Sequence, residues 1–172
     1  MMIAVLMTAC GSSNIQAVNA NDQSKTARNM NESTVKNVEA ETSIEELKKL
    51  INLPVEPSAA KWTAETFDNS QGAIPGPSDY RLTALLRYDD KSAARLSEKL
   101  LDGGVIEQSI GNADVKSWFP DEVKKEAKSS DGKTYLEGAK LPPDKFFRAP
   151  YRNGKLIRVG QTDYFVLNLF SF

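Results

Sequence analysis

The chain has 172 residues, of which 40% are hydrophobic and 26% charged, which is typical of one globular domain and not of a disordered or membrane-spanning protein. Its formal net charge of -1 gives no electrostatic reason to expect nucleic acid as a partner. Histidine is absent and cysteine occurs once, which excludes histidine-dependent catalysis, the common zinc sites and a disulfide within this sequence. We therefore expect no cofactor and no metal.

The N-terminal residues resemble an export signal that ends in a lipid-attachment site. The first nine residues are mostly apolar, but a helix needs about 20 residues to span a bilayer. They run through Leu6-Met7-Thr8-Ala9 into Cys10, the sole cysteine. This order resembles the lipobox of bacterial lipoproteins, which implies a signal peptide over residues 1–9 and lipid attached to Cys10.

The same resemblance implies a location. A membrane would be one partner of the chain, because each acyl chain on Cys10 contributes roughly 0.8 kcal/mol per buried methylene. In Gram-negative lipoproteins an aspartate after the cysteine favours the inner membrane. Gly11 stands there instead, so the resemblance implies the outer membrane of the cell envelope, facing the periplasm. The alternative interpretation is a buried N-terminal strand with a free cysteine in the core.

Residues 10–42 are predicted to be a flexible tether. They are rich in Asn, Ser, Thr, Gln and Ala, and they contain no aromatic residue. Their isolated apolar residues follow no helical or strand period, so they cannot bury enough surface to offset the entropy lost on ordering. A coil of this length would hold the following domain about 30 Å from the membrane on average.

A single domain is predicted over residues 43–172, and it opens with helices and strands in alternation. Ser43 and Glu46 form a capping box, and the apolar residues that follow have helical spacing. The next predicted elements are a strand over Ala59–Phe67, a loop over residues 68–78, a strand over residues 80–88, a helix from Asp89 or Asp90 to Leu101, a strand over residues 105–110, and a short helix from Pro120 to about Ala127.

The last third of the sequence is predicted to be β structure. Asp131-Gly132 turns the chain into a strand over Lys133–Leu141. Asn153-Gly154, between strands over residues 146–152 and 155–159, is the strongest hairpin signal. Residues 164–172 are apolar on both faces and predict a central strand. The fold class is therefore α+β, an antiparallel sheet with two to three short helices and a C-terminal β meander.

No catalytic motif is complete. Gly132-Lys133-Thr134 matches the end of a phosphate-binding loop, but Ala127 stands where that loop needs its first glycine. Paired carboxylates can hydrolyse glycosides without histidine. The available ones are better explained as turn, cap or solvent-facing residues: Asp79, Asp89, Asp90, Glu107 and Asp114. We therefore expect a protein that is not an enzyme, with a carboxylate-dependent hydrolase as a weaker alternative.

The loop before the second strand carries the first set of candidate partner-binding residues. Prolines restrict this loop, and glycines let a partner approach its backbone. The candidates are Ile74, Pro75, Pro77 and Tyr80. The alternative interpretation is a structural connector in which Ile74 packs inward.

A basic stretch near the C-terminus carries the second set. Arg148, Arg152 and Lys155 are predicted to share one face at the tip of the Asn153-Gly154 hairpin. A basic tip of this kind would bind an acidic envelope protein or an anionic envelope polymer. A charged edge that guards against aggregation explains the same residues equally well.

These interpretations lead to two functional hypotheses. The first is a membrane-anchored lipoprotein that presents a small non-enzymatic binding or adaptor domain in the cell envelope. The second is an inhibitor or immunity lipoprotein that acts on an envelope-targeting enzyme, by inserting a rigid loop or a charged hairpin.

Overall fold

The computed structural model describes residues 39–68, 77–102 and 109–172, which belong to one compact unit, Lys36–Phe172. The predicted α+β class is confirmed. The elements in chain order are helix α1 (Ile44–Leu50), strands β1 (Ala59–Phe67) and β2 (Asp79–Arg87), helix α2 (Asp90–Leu101), strand β3 (Ile110–Asp114), helix α3 (Asp121–Lys124), and strands β4 (Lys128–Ser130), β5 (Lys133–Leu141), β6 (Asn153–Val159) and β7 (Tyr164–Phe170).

The strands form one antiparallel sheet in the order β1-β2-β7-β6-β5-β3, and β4 pairs with β5 beside this path. Strands β5, β6 and β7 are neighbours in sequence and in space, which confirms the predicted meander. Strand β7 lies between β2 and β6, with Leu167 opposite Ala84 on one side and Leu156 on the other. The prediction of a central C-terminal strand is therefore confirmed.

Helices α1 and α2 cover one side of the sheet, which we call the first face. Ser43 accepts a hydrogen bond from the Glu46 amide at 3.2 Å, and Asp89 accepts one from the Ser92 amide at 2.8 Å. Both predicted N-terminal caps are thus confirmed. The helices bury Leu47, Ile51, Ala93, Leu96 and Leu100 against a core that includes Trp62, Leu82, Leu86, Phe165 and Leu167.

A smaller apolar cluster covers part of the opposite side, the second face. Phe119 and Val123 pack there against Leu85, Ile157 and Val166 of the sheet. Helix α3 is shorter than predicted and begins one residue later, because Pro120 is its N-cap. Side chains on neighbouring strands share this face at every second position. The second face therefore continues past this cluster toward β1.

The hairpin predicted at Asn153-Gly154 is wrong. These residues begin β6 and lie opposite Phe170 and Leu169 of β7, and residues 146–152 form no strand. The Asn153 side-chain amide donates to the Phe172 carbonyl at 3.0 Å. At Gly154 an added Cβ would lie 2.5 Å from the Asn168 carbonyl oxygen. Glycine is required here by the close approach of two strands and not by a turn.

Two other predicted boundaries differ from the structure. The strand predicted over residues 105–110 falls largely outside the described residues, and β3 continues to Asp114, which is therefore in a strand and does not cap a helix. A residue before position 43, where the domain was predicted to begin, also pairs with the sheet. Glu41 and Trp62 exchange two backbone hydrogen bonds of 2.8 Å each at the outer edge of β1.

The predicted signal peptide and most of the predicted tether lie outside the described residues, so the division at residues 9 and 42 stays a prediction. Over the ranges that the structure covers, no helix combines the length and the apolar character needed to cross a membrane.

Candidate functional site

The first set of predicted binding residues is only partly described. Ile74 and Pro75 lie outside the described residues. Pro77 is exposed just before β2. Tyr80, in β2, is half-buried against the core of the first face. Its amide donates to the Ser171 hydroxyl, and its carbonyl accepts from the Ser171 amide. A binding role for this loop stays a prediction.

The second set of predicted binding residues, Arg148, Arg152 and Lys155, does not share one face in the structure. Arg148 donates from Nη1 to the Lys48 carbonyl in the last turn of α1, at 2.8 Å. Arg152 is exposed and precedes β6, whereas Lys155 lies within β6 opposite Asn168. The prediction of one shared face at a hairpin tip is wrong, because the cross-strand pairing on which it depended is not formed. The role of each residue in binding stays a prediction.

The structure instead shows a groove of about 450 Å³ on the second face. It lies where β1 begins, β2 ends and β7 begins, and the segment before α3 forms another part of its lining. The lining is mostly apolar, with polar and basic side chains among it: Thr42, Ala59, Ala60, Lys61, Leu85, Arg87, Ser117, Trp118, Phe119, Pro120 and Tyr164.

The aromatic part of this lining is held in place by the core beneath it. Phe119 is buried, at 2% exposure, and its amide donates to the Lys116 carbonyl at 3.1 Å. Trp118 contacts Phe119 edge to face, with ring centroids 4.6 Å apart and an interplanar angle of 84°. Because Phe119 is fixed in the core, the half-buried Trp118 is presented to the groove in a defined orientation.

Two cations line the groove. Lys61 lies opposite Leu85 and Arg87 lies opposite Ala59, so the two basic residues are diagonal neighbours on one face of the β1–β2 pair. Neither forms an ion pair with any other described residue. The described lining contains no carboxylate. The groove is therefore positively charged.

A second hollow of about 280 Å³ shares Arg87 and Tyr164 with the groove. The Arg87 guanidinium lies 5.7 Å from the centre of the Tyr164 ring, and the Tyr164 hydroxyl is hydrogen-bonded to Glu122 of α3. Partial burial, and then the bond to Glu122, raise the pKa of Tyr164. Tyr164 is thus a neutral donor at physiological pH, and it ties α3 to β7 at the end of the groove.

Of the carboxylates considered for catalysis, Asp79 is in β2 and Asp114 ends β3, whereas Asp89 and Asp90 both stand at the start of α2. Glu107 lies outside the described residues. Within residues 39–68, 77–102 and 109–172, no group of three or more Cys, Asp or Glu is placed to hold a metal ion.

No protein-family model, curated protein sequence or solved structure matches this chain. Its function therefore has to be inferred from the groove itself.

None of the basic and aromatic residues that line this groove was a candidate site residue in the sequence analysis. Lys61, Arg87, Trp118 and Tyr164 come from four separated parts of the chain, and no local spacing connects them. The only local signal is Trp118-Phe119-Pro120, where two aromatic residues precede a helix-starting proline. In the structure these two residues lie in a turn that buries Phe119 and leaves Trp118 half-buried.

Proposed function

We propose that the protein is a lipid-anchored, non-enzymatic binding module of the bacterial cell envelope, and that its partner occupies the groove beside Trp118. The observation that carries this proposal is the combination of a mostly apolar lining with two cations, Lys61 and Arg87, that have no acidic partner among the described residues. The anchor rests on the lipobox-like order before Cys10.

The composition of the groove favours binding over catalysis. Ligand sites are typically concave and mostly apolar, with a few polar groups that orient the ligand, and they occupy roughly 300–1,000 Å³. The groove fits this description at about 450 Å³. Its described lining contains the hydroxyls of Thr42 and Ser117, but it offers no carboxylate or cysteine, and the sequence has no histidine. These hydroxyls therefore have no carboxylate or histidine in the described lining to act as their general base.

The position of the groove also suits a tethered module. Thr42 lines the groove, and the preceding residue, Glu41, is hydrogen-bonded to Trp62. The chain that leads toward Cys10 therefore joins the domain directly beside the groove. An anchored module with this layout would hold its partner close to the point where the tether is attached.

The inhibitor or immunity hypothesis gains no support from the described residues. It relied in part on a charged hairpin, which is not formed, and in part on the loop that contains Ile74 and Pro75, which lies outside the description.

Site-specific photocrosslinking in intact cells tests the proposal. A benzoylphenylalanine replaces Ser117, which is exposed and lines the groove, or Lys133, which is exposed at the start of β5 and serves as the control. We expect a discrete adduct from position 117 alone, which is lost when Trp118→Ala is added. Cys10→Ser should release the protein from the membrane fraction. Equal adducts from both positions, or unchanged fractionation of Cys10→Ser, would contradict the proposed function.

A further inference from the structure

The side chains around the groove narrow the chemistry of its ligand beyond the proposed function, on which this inference rests. We infer that the groove binds a small aromatic carboxylate, with its ring against Trp118 and its anionic group held by Lys61 and Arg87. Three features support this ligand class: the placement of the two cations, the planar groups of the lining, and the distribution of acidic residues.

The two cations can reach one anionic group. Diagonal neighbours on one face of an antiparallel pair have Cα atoms about 7–8 Å apart, within the reach of long side chains. Lys61 and Arg87 have this relationship across β1 and β2. Both lack an ion-pair partner within the described part of the chain. Arg presents a planar fork that matches a carboxylate, and Lys adds a point charge beside it.

The lining favours a flat ring over a flexible chain. Trp118 presents a planar surface and Pro120 a rigid one, and the Arg87 guanidinium lies 5.7 Å from the centre of the Tyr164 ring. Aromatic ligands gain from stacking and edge contacts with such groups, and they lose little conformational entropy on binding. Leu85 adds apolar contact from β2.

The acidic residues near the groove determine the orientation in which a carboxylate ligand binds. Glu122 and Asp163 line the neighbouring hollow beyond Tyr164, and none lines the groove itself in the described residues. A carboxylate would be repelled on the Glu122 side of Tyr164 and attracted to the space between Lys61 and Arg87, where β1 and β2 pair. The anionic group of the ligand therefore lies toward β1.

The experiment uses three probes with one carbon skeleton. The probes are 2-naphthoate, neutral 2-naphthamide, and the saturated decalin-2-carboxylate. Binding is followed by NMR through the two indole N–H signals. Trp118 reports on the groove, whereas Trp62 is buried on the first face with its indole donating to the Ser43 carbonyl, and it serves as the internal control.

We expect 2-naphthoate to shift the Trp118 signal and to leave the Trp62 signal in place. The amide and the saturated acid should each bind at least about tenfold more weakly, because one lacks the charge-assisted bonds and the other the flat ring. Lys61→Gln and Arg87→Gln should weaken naphthoate binding to a similar degree, and Lys133→Gln, the matched exposed control, should not.

Equal binding of naphthoate and naphthamide would overturn the inference while leaving a groove that binds ligands. Equal binding of the saturated acid would overturn the requirement for an aromatic ring. Binding of none of the three probes would also overturn the inference. The crosslinking result at position 117 stands apart from these outcomes, so failure of the ligand class and failure of the proposed function are distinguishable.

Discussion

Tyr88 donates a hydrogen bond from its phenol to the Val55 backbone carbonyl across 3.2 Å, inside the core of the first face. Its ring meets Phe165 edge to face, with centroids 5.4 Å apart. Tyr88 is fully buried, and this burial raises the pKa of its hydroxyl well above the usual value. The residue therefore couples the loop before β1 to the centre of the sheet.

We expect the buried phenol to make the fold sensitive to alkali. Because the pKa of Tyr88 is raised in the folded state, its contribution to stability is complete below the unfolded value of about 10 and is lost as the pH rises above it. Tyr88→Phe should cost about 1 kcal/mol at neutral pH, since the Val55 carbonyl loses its partner, and should flatten the alkaline loss. Urea unfolding at pH 7 and at pH values above about 10 measures both effects. Parallel alkaline losses in the two proteins would argue against this role.

Substitution by asparagine separates a turn glycine from a glycine required by close packing. Gly132 has a φ of 72°, and a Cβ added there would have nothing within 4 Å, whereas a Cβ added at Gly154 would meet the Asn168 carbonyl. Asn tolerates positive φ, so Gly132→Asn should change stability little. Gly154→Asn should cost about 1–3 kcal/mol or more, because β6 and β7 must move apart. Thermal unfolding of both variants decides the matter, and a neutral Gly154→Asn would contradict the close approach.

Truncation from the N-terminus should reveal the contribution of the Glu41–Trp62 bridge. A chain that starts at residue 39 keeps both backbone hydrogen bonds, whereas one that starts at Ser43 loses them. We expect the first to melt within a few degrees of the full chain, and the second to lose about 1–3 kcal/mol. A large loss already in the chain from residue 39 would mean that earlier residues pack on the domain.

The central strand should be the most sensitive part of the sheet. Leu167 in β7 is fully buried between β2 and β6, so Leu167→Ala should lower the free energy of unfolding by about 2–5 kcal/mol. Arg152→Ala is the control, because an exposed charge contributes little to stability. Chemical denaturation of both variants measures the difference, and a stability-neutral Leu167→Ala would refute the role assigned to β7.

The sequence was informative wherever a local pattern decides structure. The bounds of Ala59–Phe67 and Lys133–Leu141 were predicted correctly, because proline and loop residues flank the first strand and the Asp131-Gly132 turn precedes the second. Of the two predicted caps of α2, Asp89 and Asp90, the structure shows Asp89, since its short polar side chain accepts from a free amide of the first turn.

The failures came from signals that have more than one physical cause. Asn153-Gly154 has the composition of a two-residue turn, but in the fold Asn153 bonds to Phe172 and Gly154 makes room for the neighbouring strand. The groove could not be predicted because Lys61, Arg87 and Trp118 meet only after the sheet has formed. Their proximity depends on strand order, which a single sequence does not encode in any local spacing.

The placement of β7 also sets the order in which the sheet can close. It joins the β1–β2 pair to the β6–β5–β3 group, yet it is the last strand in the sequence, and its contact between Thr83 and Asn168 spans 85 positions. Until β7 has been synthesised, β2 and β6 each lack the neighbour that lies between the two groups in the finished sheet. Because these pairings have a large sequence separation, we expect closure of the sheet to be a late step of folding, after local structure has formed within each group.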